Sequence, residues 1–286
     1  MRFVHTADWQ IGKPFARIAD PRKRVLVQQA RLEVVARIAR VVVDYDARLV
    51  LVAGDLFDSP AVDAGTVSAA CAAIGRIPVP VVVIPGNHDH GGPGSVWEQA
   101  FFLREREQLA PNLLVLTEPG PYLIDTALVL ACPLRSRTSW MDPTEWVRSP
   151  AAWPEVRSVK ESDRGFCFTA VPEPRGAPDS RSVPCIMLAH GSIQAFVGGC
   201  DDEEDLLTGA GTIDLARLPE GLIDYIALGN WHGAKQVGPK AWYAGTPEPD
   251  RFAKEGQYDP GNVLVVDAEP GAEPHVTRVA TGALRW

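Results

Sequence analysis

Three short apolar runs near the start of the chain each break off at a cluster of acidic, amide or imidazole side chains, and this limits the fold more than any other feature. The runs are Arg2 to Thr6, Leu49 to Ala53 and Val79 to Ile84. The clusters read His5-Thr6-Ala7-Asp8-Trp9-Gln10, then Gly54-Asp55-Leu56-Phe57-Asp58, then Gly86-Asn87-His88-Asp89. Between them, Arg24 to Asp44 has helical periodicity, with Val25, Leu32, Val35, Ile38 and Val42 on one broad face, and Val62 to Ile74 reads as an Ala-rich helix. Strand–helix–strand–helix–strand implies parallel strands joined by right-handed crossovers. Open α/β sheets place ligands at the carboxyl ends of their strands, where all three clusters fall.

The pattern then changes. Leu113 to Leu116, Tyr122 to Ile124 and Ala127 to Ala131 are short strands with tight turns and predict a second, mixed sheet. Ser149 to Pro184, rich in Pro, Ser and charge, reads as an irregular surface excursion. Cys185 to Ala189 and Ile223 to Leu228 return as apolar strands, followed by His190-Gly191 and by Gly229-Asn230-Trp231-His232-Gly233. Val263 to Val266 and His275 to Val279 read as closing strands, so residues 1–265 form one domain and 266–286 a short closing segment of it. The acidic run Asp201 to Asp205 reads as a solvated loop, with a lid near the polar clusters as the alternative.

With 286 residues, 46% hydrophobic and 22% charged, the chain has the makings of an ordinary globular core. No apolar run approaches the ~20 residues of a membrane helix, and the amino terminus lacks the apolar stretch of a signal peptide. A cytoplasmic protein without membrane contact is the expectation. Five scattered cysteines with no CxxC pair argue for reduced thiols over a disulfide framework. A net charge of −8 argues against tight non-specific DNA binding, although two divalent cations would halve it and matter more at the site itself.

Carboxylate, amide oxygen and imidazole together make a borderline-hard donor set that suits Mn²⁺, Fe or Zn²⁺. The order of the motifs resembles that of the calcineurin-like metallophosphoesterases. HTADWQIG, GDLFD, GNHDH and Tyr243-Ala244-Gly245-Thr246-Pro247-Glu248-Pro249 are similar to the SbcD-type DNA repair nucleases within that superfamily. The resemblance spans residues 5 to 249. It implies a four-layer α/β/β/α sandwich of two mixed sheets flanked by helices. It also implies two divalent cations, with Asp8, Gln10, Asp55 and His232 around the first and Asp55, Asn87, His190 and Asn230 around the second, Asp55 bridging. His88 would be the general acid, protonating the leaving oxygen after hydroxide, activated by the two metals, attacks phosphorus.

Two positions depart from the family. Gln10 stands where a His is usual, and Asn230 replaces the first His of the G-H-x-H motif. Each amide is a weaker, harder ligand than imidazole, which shifts the expectation from Zn²⁺ toward Mn²⁺, with Fe and Mg²⁺ as alternatives. His5 reads as a strand-end residue that orients Asp8 or a phosphate. His90 either touches substrate or caps its turn; Asp58 reads as holding its own loop or a ligating His rather than a metal, and Asp89 as having a similar supporting role. Trp9 and Trp231 read as core, with base stacking as the sharper alternative. Arg251 is either a phosphate contact or a surface residue.

The substrate implied is DNA, single-stranded or duplex. Ser59-Pro60 after Asp58, and Asp89 in GNHD, separate the chain from the protein Ser/Thr phosphatases. A small or cyclic-nucleotide phosphodiesterase and a catalytically weak binding subunit are the other readings. Only about two strands follow Gly261, so no SbcC-type ATPase partner is expected, and cutting of internal bonds by a monomer or weak dimer is.

Overall fold

Phe3 and Val4 are neighbours on strand β1 (Arg2–Thr6) and face opposite ways, as the two-residue repeat of a strand requires. Phe3 enters a core shared by two sheets, and Val4 enters a core between the first sheet and its helices. The next strands repeat the split. On β2 (Val50–Val52), Val50 and Val52 face the helices and Leu51 the second sheet; on β3 (Val81–Val83), Val81 and Val83 face the helices and Val82 the second sheet. Strands with both faces covered read as unbroken apolar runs.

The computed structural model describes residues 1–138, 141–162, 165–170, 182–193, 211–251 and 259–285. The first sheet runs β1, β2, β3 and β4 (Leu113–Val115) in parallel. On the other side of β1, β15 (Asn262–Asp267) and β16 (His275–Ala280) close it with antiparallel pairings, so the expected closing strands belong to this sheet.

The second sheet is mixed, in the order β13-β14-β12-β9-β6-β5-β7-β8. Its members are β5 (Gly120–Ile124), β6 (Ala127–Cys132), β7 (Arg157–Ser162), β8 (Gly165–Ala170), β9 (Cys185–His190), β12 (Tyr225–Gly229), β13 (Lys235–Gln236) and β14 (Ala241–Tyr243). A two-stranded parallel pair, β10 (Ser192–Ile193) and β11 (Thr212–Ile213), lies apart from it. Two large mixed sheets packed together with helices are what the resemblance implied.

Helix α1 (Pro21–Asp44) starts a turn earlier than periodicity alone suggests. Asp20 caps it by accepting from the Arg22 and Lys23 amides, and Pro21 suits a first turn. Asp63 caps α2 (Ala64–Ile74) in the same way, through the Thr66 amide. A third helix, α3 (Ala100–Leu109), was not anticipated; only Phe102 on it is fully buried, against Phe57 and Trp97, so its apolar stripe is too thin to read.

The three α-helices among the described residues all cover the first sheet. Among the described residues, short 3₁₀ turns at Glu145–Arg148, Pro150–Ala152 and Leu215–Arg217 lie along the outer side of the second. Within the expected excursion 149–184, strands β7 and β8 pair as a hairpin and extend the second sheet. The acidic run at 201–205 lies outside the described residues. Cys71, Cys132 and Cys185 are free and buried in the cores, matching the reduced reading.

Candidate metal centre

Because β1, β2 and β3 run parallel, as do β9 and β12, the polar clusters at their carboxyl ends meet at one edge of the sandwich. Asp8 and Gln10 follow β1, Asp55 follows β2, and Asn87 and His88 follow β3. His190 ends β9, and Asn230 and His232 follow β12. Asp8, Gln10, Asp55, Asn87, His190, Asn230 and His232 are all buried.

The backbone is bent hard to deliver them. Asp8, Gln10, Asp55 and Asn230 have φ of 54°, 42°, 55° and 101°. Side chains other than glycine rarely adopt this left-handed region, and doing so costs about 1–3 kcal/mol each. The loops after β1 and β2 hold one another in place, with the amides of Asp8, Gln10 and Ile11 donating to the carbonyls of Gly54, Asp55 and Leu56 at 3.1, 2.9 and 2.9 Å. Gly54 has φ +89°, and a Cβ there would lie 2.3 Å from His190 Nδ1. At Gly86 a Cβ would lie 2.1 Å from Asp55 Oδ1. Nothing larger than glycine fits either place.

One side of the centre collects lone pairs. Asp8, Asp55 and His190 each offer a ligand atom, all within 4.8 Å of one another. His190 Nδ1 sits 2.8 Å from the Ala53 carbonyl, to which it must donate. That turns Nε2 toward the Asn87 Oδ1 at 2.8 Å and the Asp55 Oδ2 at 3.6 Å. Burial disfavours charge on this ring, but the Asp55, Asp8 and Asp89 carboxylates outweigh it and raise the His190 pKa. Burial likewise raises that of Asp8, partly countered by His232 and His190. Buried carboxylates, an amide oxygen and an imidazole facing one small volume call for a cation, and here the residues fit one.

The other side is different. Lys13 Nζ donates to Gln10 Oε1 at 2.7 Å and to Asp250 Oδ2 at 2.9 Å. His232 Nδ1 donates to the same Asp250 oxygen at 3.1 Å, and the Gln10 amide nitrogen lies 3.4 Å from His232 Nε2. The oxygen expected to face a metal therefore faces an ammonium. Asp250 is buried, which alone would raise its pKa, yet His232, Lys13 and Arg31 hold it well below the usual carboxylate range. Asn230 donates its backbone N–H to both Asp8 oxygens at 3.2 Å and its amide N–H to Ser192 Oγ at 3.0 Å.

His88 stands beside the lone-pair cluster. Its backbone N–H donates to Asp55 Oδ1 at 2.9 Å, and its Nδ1 lies 2.9 Å from the Asp58 carbonyl. Asp58 thus contributes its backbone to the imidazole; its carboxyl pKa is raised by burial against the pull of Lys13 and His88. Asp89 accepts from the Gly86 and Phe57 amides at 2.8 and 3.0 Å and so ties the second cluster to the third. Burial, with Asp55 beside it, raises its pKa to about 7.

The remaining sequence candidates divide. Trp9 is buried and donates to Thr6 Oγ1 at 2.9 Å, so it is core and offers no stacking face. Trp231 is only partly buried, with Lys235 Nζ 5.5 Å from its ring centre, and it lines a cleft with Ser192, Asn230, Lys235 and Tyr243. His5 is buried between the sheets, with its Nδ1 2.9 Å from the Tyr225 hydroxyl. His90 is half-buried. Arg251 lies 3.8 Å from Asp250.

Sequence reasoning missed Lys13, Asp250 and Arg31. The Arg31 guanidinium is buried and donates to the Trp9 and Asp8 carbonyls at 2.9 and 3.1 Å, and to the Glu248 carbonyl and Thr246 Oγ1 at 3.1 Å. It binds the first cluster to the Gly-Thr-Pro-Glu-Pro stretch. The available signal was an arginine at core spacing among Val27, Ala30, Val34 and Val35.

Two sheets with a carboxylate–imidazole cluster at their shared edge define a metal-dependent phosphoesterase. Residues 1–148 match the family model for calcineurin-like phosphoesterases, and the chain belongs to that family, whose members bind divalent metals. It is 26% identical over 295 residues to the SbcD component of the nuclease SbcCD from Bacillus subtilis (strain 168), across 96% of this chain and 68% of that protein. Its fold resembles the crystal structure of TT1561 from Thermus thermophilus, with a TM-score of 0.51 and 13% identity across 98% of both chains. Among the described residues no helix is long and apolar enough to cross a membrane.

Proposed function

We propose that this phosphoesterase hydrolyses phosphodiester bonds in DNA, cutting internal bonds of single-stranded or duplex substrates during DNA repair, with Mn²⁺ as the favoured ion. The observation that carries this is the convergence of Asp8, Asp55, Asn87 and His190 beside a fixed imidazole, His88. The similarity to a nuclease component along nearly the whole chain supports DNA as the polymer. The oxygen-rich donors support a hard ion.

In this reading Asp55 is the central ligand, aided by Asp8, Asn87 and His190, with His232 and Asn230 at the margin. A bound divalent cation would lower the pKa of water and neutralise phosphate charge. His88 supplies the proton. With Nδ1 tied to the Asp58 carbonyl, proton exchange runs through Nε2, and a sugar oxygen is a poor leaving group without it. Buried Asp89 keeps the His88 loop in register with Asp55.

The test incubates metal-stripped protein with supercoiled plasmid and with circular single-stranded DNA, adding Mn²⁺, Mg²⁺, Zn²⁺ or no metal. Asp55→Ala and His88→Ala proteins serve as controls. Mn²⁺-dependent opening of circles, lost in both variants, is the expected result. The net charge of −8 favours a second reading, a small phosphodiester substrate. Intact DNA with turnover of bis-(p-nitrophenyl) phosphate would establish that reading instead.

A further inference from the structure

The two sides of the centre differ in what already occupies their lone pairs. Lysine can only donate, so the Gln10 atom 2.7 Å from Lys13 Nζ must be the oxygen. The flipped amide would set one donor against another, which fixes its orientation. The Gln10 N–H then points to His232 Nε2, whose ring is oriented by donation from Nδ1 to Asp250. Asp250 in turn holds the ammonium. Gln10, Lys13, Asp250 and His232 form a closed ring in which each acceptor meets a donor, and a second cation there would find these acceptors already engaged. A second ion would have to strip the ammonium from Gln10, rotate the amide, and sit close to the charge of Lys13.

We propose that this chain holds one divalent cation tightly, at Asp8, Asp55, Asn87 and His190, and that the Lys13 ammonium, clamped by Gln10 and Asp250, closes the neighbouring half-site and supplies its positive charge. The proposal rests on the reading of the Asp55 cluster as the metal site and replaces one of the two ions implied by the motif order. Lys13 is the compensation for the missing imidazole at position 10: a fixed cation where the family's pattern implies a mobile one. Its side chain is 24% exposed, so it stands at the mouth of the centre, placed to meet an incoming phosphate.

Metal-stripped protein is dialysed against Mn²⁺ across a concentration series, with bound metal measured directly and electron paramagnetic resonance spectra recorded. Neither readout depends on the substrate. The native chain is expected to bind a single Mn²⁺ with the spectrum of an isolated ion, and any second ion at least ~100-fold more weakly, the scale of losing a charge-assisted hydrogen bond. Lys13→Met combined with Gln10→His is expected to bind a second ion and show spin coupling. Lys13→Arg, which keeps the charge, should still bind one. Circular dichroism confirms that each variant is folded. Two ions of similar affinity with a coupled spectrum in the native chain would overturn the proposal, as would a folded double variant that still takes one. An Asp55→Ala protein that binds Mn²⁺ as well as the native chain would sink the underlying site assignment instead.

Discussion

Replacing Arg31 with Met keeps the length of a buried side chain but removes its donors and charge, and the structure sets the size of the effect. Four acceptors lose a donor: the carbonyls of Trp9, Asp8 and Glu248, and the Thr246 hydroxyl. The Thr246 hydroxyl and the Glu248 carbonyl keep their 3.0 Å bond to each other, so two stranded groups remain, the Trp9 and Asp8 carbonyls in the first loop. Leaving a buried acceptor unpaired costs about 1–3 kcal/mol, and water entering from the rim recovers part of it. With two such carbonyls, a net loss of about 3 kcal/mol follows, a large fraction of the ~5–15 kcal/mol that holds a domain folded. The melting temperature should fall by roughly 6–12 °C for a chain of this size. The same change frees the left-handed backbone at Asp8 to relax, so Mn²⁺ affinity should fall with stability. Urea unfolding of both proteins at about pH 7.5, with Mn²⁺ titration below the transition, measures both. A loss under about 1 kcal/mol, with metal binding intact, would refute the view that Arg31 organises the two loops.

Three further outcomes can be checked. His5 is buried and neutral, with burial lowering its pKa to about 3. The unfolded chain takes up a proton there below about pH 6.5, so this stability is complete above that pH and declines as pH falls toward 3, by up to ~1.4 kcal/mol per unit. Between about pH 7.5 and 5, His5→Phe should therefore lose about 2 kcal/mol less than the native protein in urea titrations; parallel losses would contradict it. His88→Ala should slow DNA cutting by roughly 10²–10⁴-fold but turnover of bis-(p-nitrophenyl) phosphate far less, because p-nitrophenolate leaves without a proton; equal losses would argue against a general acid. Trp231→Ala should weaken DNA cleavage and spare the chromogenic diester, as loss of a stacking face in the cleft beside Asn230 requires. If both rates hold, Trp231 is packing only.

How much of this was legible in the sequence depends on how local each feature is. The edge where the clusters meet follows from apolar runs and parallel crossovers, both readable over a few tens of residues. Asp55, Asn87 and His190 could be found because each sits at or just beyond a strand end. Helix α3 could not, because a single buried Phe102 makes no stripe. Arg31 was hidden by a sound default, that arginine on a helix faces water; its acceptors at Thr246 and Glu248 lie 215 and 217 residues away.

Gln10 shows where reading a motif position by position breaks down. In the register of the family it occupies a ligand place, and as an isolated substitution it reads as a weaker ligand. What decides its role is the direction of its oxygen, which Lys13, three residues on, sets by donating to it. Lys13 can do so only because Asp250, 237 residues further along, holds the ammonium from the other side. Asp250 also orients His232, so one carboxylate decides the chemistry of two expected ligands at once. A lost imidazole in a metal centre is therefore neither decay nor simple softening of the ligand field until the neighbouring donors are placed. Here the ammonium came with the amide, and a half-site built for a cation is closed by one the chain carries itself.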